Sequence, residues 1–504
     1  MQTNPLEIFE IVASVGRFVK LWQRGPQDQT EFIPKELLSH SRVSKTWHAA
    51  LLPSIWEVYD GNTMHSIPSE IVTKYSHHFH FMIDCCHPGP FHCKTLKRLE
   101  TFADNQFSME FIKDMQPTIS TLCWKGRLQM LDLSNDGDNL TSATIADTKL
   151  SLMPSTITSL ELERWRASDI YPFLRFLRRY QFLTTLSINL MCDFHAVLPS
   201  TTVERPSRDL LLLSIKTLCL DFTAQRNYGS HDMGMLEVLK YCPNLENLVT
   251  IGLWTQYFRS YQTTPFYHYC PLLNSLYMKL ALWDSDKLPV FVADSDLASL
   301  IESTQVPQHI PKQGKEGPVF SNEAIVGQET DIDHIGGLRR VKAEILTFHE
   351  GISEALVNAH AETLEIIELD LKSVYKADKT DMFYAVQNVL YSCRHLRKFS
   401  LKHMHREDKN DDLVHILFID PWGCSRILEE LYIHDIGSWS GESRVLEDIE
   451  VDIRDGSGEK WVWHAGGKMR MARCLELQIR DQIKRMPRLE CLFLNQVQFW
   501  RTRK

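Results

Sequence analysis

The sequence has no long apolar run. Its longest block of leucines, Leu210 to Leu213, is far below the ~18 residues a membrane-spanning helix needs, so no membrane partner is expected. Basic charge is not in excess either. Across 504 residues, 55 Lys and Arg face 64 Asp and Glu, a formal net charge of −9. A general nucleic-acid partner is therefore not expected, because phosphate contacts need a basic face. The first residues carry Glu7 and Glu10 where a secretory signal would place a basic stretch and an apolar core. The 12 cysteines contain no C-x-x-C pair, so the common structural zinc signatures are missing. They read as reduced core thiols of a cytoplasmic or nuclear protein. There is no glycine-rich phosphate loop, no G-x-S-x-G elbow, no H-E-x-x-H, and no pair of acids spaced for acid/base work. No catalytic residue, metal or cofactor is expected. What remains is ordinary globular composition, 43% hydrophobic and 24% charged, in a chain long enough for about three domains or one repeat array.

A short Leu-x-Leu strand recurs along most of the chain. Copies start at 99, 131, 160, 186, 218, 248, 276, 367, 399, 431 and 492. Most steps are 26 to 32 residues, and the gaps of 91 and 61 correspond to about three and two periods. Several copies follow the same hinge: Tyr241-Cys242-Pro243-Asn244-Leu245, Tyr269-Cys270-Pro271-Leu272-Leu273, Ser392-Cys393-Arg394-His395-Leu396 and Arg485-Met486-Pro487-Arg488-Leu489. Where the hinge carries Pro, it stops the preceding helix; the Leu three residues after the Cys or Met packs beneath the turn, and the alternating leucines point inward. This pattern is similar to the long, helix-containing leucine-rich repeat, and the Cys-Pro-x-Leu hinge resembles the version found in F-box proteins. The resemblance implies an α/β leucine-rich-repeat solenoid, a curved parallel sheet with outer helices, over residues 95–504. A doubly wound α/β domain would also alternate helices and strands, but it requires neither a fixed period nor a repeated hinge.

Two interruptions stand out. The stretch 304–336 is rich in Pro, Gly and polar residues and reads as a long exposed loop. Within 446–464, Ile449, Val451 and Ile453 alternate with charges before Asp455-Gly456-Ser457-Gly458 and Trp461-Val462-Trp463, the pattern of a β-hairpin. Its tryptophans read either as packing onto the adjacent repeat or as an aromatic anchor for a partner.

The N-terminal segment, 1–59, reads as three short helices. Asn4-Pro5 suits a helix start, and Leu6, Ile8, Phe9, Ile11 and Val12 recur near helical spacing. Gly25-Pro26 marks a loop, Leu37 and Leu38 lie in a second apolar segment, and Val43 to Leu52 forms a third, closed by Pro53. A unit this small cannot bury so many large residues alone. Pro5-Leu6-Glu7-Ile8, Leu37-Leu38, Val43-Ser44-Lys45-x-Trp47 and Ile55-Trp56 together resemble an F-box. Two features depart from that pattern: Asn4 stands where the family usually has Leu, and the loop after the first helix is longer. The resemblance implies binding to the small adaptor subunit of a cullin-based (SCF-type) ubiquitin ligase, and through it to a cullin. Pro5, Leu6, Ile8, Phe9, Leu37, Leu38, Val43 and Trp47 would make the contacts. The competing reading is a repeat scaffold without a ligase role, its helices being only a terminal cap.

Residues 60–94 form a transition into the first solenoid units. They hold His77-His78-Phe79-His80, Cys85-Cys86-His87, His92 and Cys93. Thiolates and imidazoles are natural zinc ligands, yet this spacing fits no familiar finger, and strand or turn histidines with buried cysteines explain it. On the solenoid's concave face, the middle residue of each strand would be exposed. The early part of that strip, with Glu161 and Glu163, is acidic. The late part, from Tyr432 to Phe493, is more aromatic, and Tyr277, Tyr432, His434 and Phe493, with Trp461 and Trp463, are the candidate contacts to an unidentified target protein.

Overall fold

The computed structural model describes residues 8–18, 22–24, 30–32, 34–85, 91, 93–102, 118–125, 156–167, 170–192, 208–222, 238–252, 269–279, 294–305, 337–345, 348–371, 379–403, 421–433, 443–445, 449–451, 461–465, 470–494 and 497–503. The chain divides into two compact units. One comprises residues 1–196, 207–215 and 224–238; the other comprises 197–206, 216–223 and 239–504.

The first unit opens with α1 (Phe9–Phe18). Strands β1 (Trp22–Arg24) and β2 (Thr30–Phe32) pair antiparallel, so the stretch expected to be a loop carries the arms of a hairpin. Helices α2 (Lys35–His40) and α3 (Lys45–Ile55) follow. Ser44 caps α3, its hydroxyl accepting the Trp47 N–H at 3.1 Å. Pro53 does not close this helix as its sequence suggested. It deprives one carbonyl a turn earlier of a donor, but α3 continues to Ile55, whose side chain enters the core. That core comprises Val12, Leu37, Ala50, Leu51 and Ile55, flanked by Ala13, Trp47 and Trp56. Gly16 permits the close approach of α1 to α3, since a Cβ there would lie 2.7 Å from Leu51 Cδ2.

Parallel strands begin earlier than the repeat count indicated. β3 (Val58–Asp60), α4 (Ser69–Tyr75) and β4 (Phe81–Cys85) precede β5 (Arg98–Phe102), β6 (Thr121–Lys125), β7 (Ser159–Ala167), α5 (Ile170–Arg178) and β8 (Thr185–Cys192). The six strands β3 to β8 pair parallel in chain order. Met82, Leu99, Leu122, Leu160 and Leu186 stand in one buried column across β4 to β8. β6 pairs directly with β7, and the expected strand Leu131-Asp132-Leu133 lies outside the described residues. The strand there is Leu122-Cys123-Trp124, all three buried, with Trp124 in register with Leu162 and taking the place of the second leucine, and Cys123 between Glu100 and Glu161.

The second unit repeats the arrangement at greater length. It contains β9 (Thr217–Asp221), β10 (Asn247–Ile251), β11 (Ser275–Lys279), α6 (Asp294–Ser303), β12 (Arg340–Ile345), α7 (Glu350–His360), β13 (Ile366–Leu371), α8 (Lys379–Ser392), β14 (Lys398–His403) and β15 (Glu430–Ile433). After β16 (Ser443–Val445), β17 (Ile449–Val451), β18 (Trp461–Ala465) and β19 (Arg470–Ala472), helix α9 (Arg473–Lys484) leads to β20 (Cys491–Leu494) and β21 (Val497–Arg503). The seven strands β9 to β15 pair parallel in order, and β20 adds to β15 as the eighth. Leu218, Leu248, Leu276, Val341, Ile367, Phe399, Leu431 and Leu492 form the buried column. Each such burial contributes about 1.5–3 kcal/mol against the exposed state.

Two counts from the sequence are corrected here. Among the described residues, the gap from 276 to 367 holds one further strand, β12, which pairs with β11 directly, and the gap from 431 to 492 holds none in the parallel sheet. β11 and β12, and β15 and β20, are therefore neighbours in the sheet although many residues separate them in sequence. Of the first insertion, 306–336 lies outside the described residues. Thr304, read as part of an exposed loop, is buried just past the end of α6. In the second, the expected hairpin is present: β17 and β18 pair antiparallel, with Ile449 opposite Trp463 and Val451 opposite Trp461. β18 then pairs with β21, and β21 with β20, so an antiparallel set follows the last parallel strand.

The repeats are locked by a shared backbone device. One carbonyl before each strand accepts two N–H groups from the next repeat. Glu365 and Ile366 bond Arg339 O, Arg397 and Lys398 bond Glu365 O, and Glu429 and Glu430 bond Arg397 O, at 2.7–3.1 Å. The hinges behave as their sequence indicated. Leu245 N–H bonds Cys242 O, Leu273 bonds Cys270 O, Leu396 bonds Cys393 O and Leu489 bonds Met486 O, with all eight side chains buried.

Candidate protein-docking surfaces

The helical part of the first unit seals its own core and still exposes large apolar side chains. Phe9, Ile11 and Val15 on α1, Leu38 on α2 and Val43 between α2 and α3 are 39–65% exposed. Ile11 and Val15 are four apart and so share one helix face. Among the residues expected to meet a partner, Phe9, Leu38 and Val43 are thus at the surface, and Ile8 is half-buried. Leu37 corrects the expectation: at 1% exposed it belongs to the unit's own core, because the neighbouring leucines of a helix cannot face the same way. Trp47 is half-buried against that core, and Pro5 and Leu6 lie outside the described residues. Ile11 and Val15 were not singled out by the motif; their spacing was the available signal. Trp56 fastens this helical part to the end of α4 and the turn before β4, its ring stacked on Tyr75 at 4.9 Å and 6.3 Å from Phe79.

The solvent-facing side of the second unit's sheet carries a relay of charged and aromatic side chains. Lys342 Nζ lies 5.0 Å over the Tyr277 ring and 3.5 Å from Glu368 Oε2. Glu368 Oε1 is 2.9 Å from Lys398 Nζ, which in turn sits 5.8 Å over Tyr432. The Tyr432 and Phe493 rings are 6.2 Å apart. A hydrogen bond to the Cys491 thiol, with burial added, pushes the Tyr432 hydroxyl above its ordinary value. Tyr277, Tyr432 and Phe493 therefore share a sheet face, as their strand positions implied. Ser400 of the same strip is buried, a short side chain between Glu368 and Tyr432 in the register. His434 lies outside the described residues. Trp461 and Trp463 stand opposite Arg503 and Arg501 of β21 in the register.

The first unit's sheet presents a different face. Arg98 lies 3.8 Å from Glu100 and 3.7 Å from Glu161, and Lys125 bridges Glu100 and Glu163. Three carboxylates against two cations keep this strip acidic, as its sequence indicated. The histidines nearby are turn residues: Ser76–His78 is a 3-10 turn, not a strand, and Phe79 after it is fully buried. Burial and the neighbouring His77 and His80 hold His78 below its ordinary value. Burial pushes the Cys93 thiol up to about 12. Among the described residues no group of three or more His, Cys, Asp or Glu is placed to hold a metal, and no helix is long and apolar enough to cross a membrane. Cys86, His87 and His92 lie outside them.

No protein-family model and no curated protein matches this chain.

Proposed function

We propose that this chain is a substrate-recruiting subunit of a cullin-type ubiquitin ligase. Its N-terminal helices act as an F-box that docks the ligase adaptor, and its leucine-rich-repeat sheet holds a target protein. The observation that carries this reading is the exposure of five large apolar side chains, Phe9, Ile11, Val15, Leu38 and Val43, on a helical unit whose own core is already closed. Large exposed apolar side chains on a monomer mark an interaction site. The chain performs no bond chemistry in this reading. Its contribution is to hold the target near the transferase, making the two binding events effectively intramolecular.

The cap reading draws on Trp56, whose stacking on Tyr75 ties these helices to the end of α4. It leaves the exposed apolar side chains without a role. Co-purification of the full chain with the ligase adaptor separates the two. The wild-type chain retains the adaptor, and the double variant Leu38→Asp, Val43→Asp loses it by tenfold or more with an unchanged circular-dichroism spectrum. A wild-type chain that brings down no adaptor refutes the ligase reading.

A further inference from the structure

His360 ends α7 and is 2% exposed. The Leu338 backbone N–H donates to its Nδ1 at 3.2 Å. A ring nitrogen that accepts a hydrogen bond carries no proton, so the imidazole is neutral with its proton on Nε2. Nε2 lies 3.1 Å from the Ile301 carbonyl and 2.9 Å from Thr304 Oγ1. The Thr304 hydroxyl donates to Ile301 O at 2.7 Å, which leaves its oxygen free to accept from the ring. Thr363 Oγ1 donates to the Leu338 carbonyl at 2.8 Å, so both backbone polar groups of Leu338 are held from the end of α7 and the turn after it. A Cβ on Gly337 would stand 2.9 Å from Thr363 Oγ1 and 3.3 Å from His360 Nδ1, so the chain passes as close as glycine permits. One imidazole therefore ties the end of α6 to the start of β12, two points separated in sequence by 306–336.

We propose that His360 is a proton-sensitive clasp: neutral, it joins α6 and β12 to α7; protonated, it releases Leu338 and loosens that joint while the other repeats stay paired. An imidazolium carries N–H on both nitrogens, so Nδ1–H would confront the Leu338 N–H, donor against donor. Among the described residues no carboxylate is paired with His360 to compensate the charge. On α6 the candidate is Glu302; at and just before the start of β12 there are Arg339 and Arg340; His349 caps α7, which carries Glu350 and Glu354, and beyond it lie Glu362 and Glu365. Of these, Glu302, Arg339, Arg340, Glu350, Glu354 and Glu362 are exposed, and none pairs with His360. Glu362 pairs with His395 and Glu365 with Arg339. Burial lowers the ring from 6.5 to about 4, partly offset by the bond to Ile301. The open joint binds the proton more tightly, so the closed form is favoured above pH 6.5 and opening grows as pH falls from 6.5 toward 4. Between pH 7 and pH 5 the open form gains roughly twenty-fold.

The test is hydrogen exchange on the full chain, corrected for the intrinsic pH dependence, comparing the peptide of β12 with that of β13 as internal standard. In the wild type, protection of β12 relative to β13 falls about tenfold or more from pH 7 to pH 5. In His360→Gln, whose carboxamide offers an acceptor and a donor but does not titrate, it changes less than about twofold. No fall in the wild type, or an equal fall in both proteins, overturns the proposal. An NMR titration of the His360 ring in the wild type decides independently of how the variant folds. A midpoint below about 5 supports the clasp, and a midpoint at or above that overturns it.

Discussion

Lys398 Nζ stands 2.9 Å from Glu368 Oε1 and 3.1 Å from Glu430 Oε2, on the strands to either side of its own. Burial pushes the Glu368 carboxyl up, but the hydrogen bond and charge of Lys398, joined by Lys342, outweigh it and hold the group below its ordinary value. A carboxylate depressed in the folded state contributes stability above its unfolded value, and that contribution is lost as pH falls through the folded one. Glu368 is 31% exposed, so solvent screens the pair and the contribution is about 0.5–1 kcal/mol. Glu368→Gln is expected to lose that amount at pH 7 in urea denaturation and to match the wild type in strong acid. Equal stability at pH 7 would show that the relay along this face is energetically idle.

Gly423 faces the backbone of Tyr391 at the end of α8. A Cβ there would fall well inside contact distance of the Tyr391 carbonyl oxygen and 3.0 Å from its carbon. The following Cys424 N–H donates to Leu390 O at 3.3 Å, so the close approach also serves a hydrogen bond. Backbone cannot yield as a side chain can. Gly423→Ala should therefore cost about 1–3 kcal/mol, read as a lowered thermal midpoint, whereas a harmless alanine would mean the turn shifts freely.

Where the sequence was legible, it was legible for a packing reason. Leu160, Leu186, Leu218, Leu276, Phe399, Leu431 and Leu492 fill one buried column per unit, and that demand writes period-two leucine patterns into the strands. β12 was missed because its inward residues are Val341 and Ala343, which fill the same column with less volume and no leucine. β6 was missed because Trp124 stands where the pattern has its second leucine. The spacing misled wherever an insertion separated strands that pair directly, since a period counted along the chain cannot tell inserted residues from a further repeat. Of the candidate surfaces, Tyr277, Tyr432 and Phe493 could be placed from strand alternation alone. Their partners Lys342 and Lys398 required knowledge of which strand lies beside which. Leu37 and Leu38 show the same limit on a helix: the motif names both, and only packing says which one is core.

The hinge cysteines offer a chemical readout of repeat integrity. Burial pushes the thiols of Cys242 and Cys393 up to about 12, with Glu362 adding to the effect at Cys393. Only the thiolate attacks a disulfide or an alkylating reagent, so at pH 8 about one in ten thousand of these side chains is reactive at any instant, and burial blocks access to that fraction. Cys242 also sits in the turn that precedes β10, and Cys393 in the one that precedes β14, where each accepts a backbone N–H from the leucine three residues on. Neither can be reached without opening its repeat. Peptide-resolved alkylation at pH 8 is therefore expected to leave both unlabelled in the native chain and to label them in step with loss of ellipticity as urea is raised. Rapid labelling of either thiol without denaturant would contradict the buried hinge, and labelling of one well before the other would reveal that the repeats open separately rather than together.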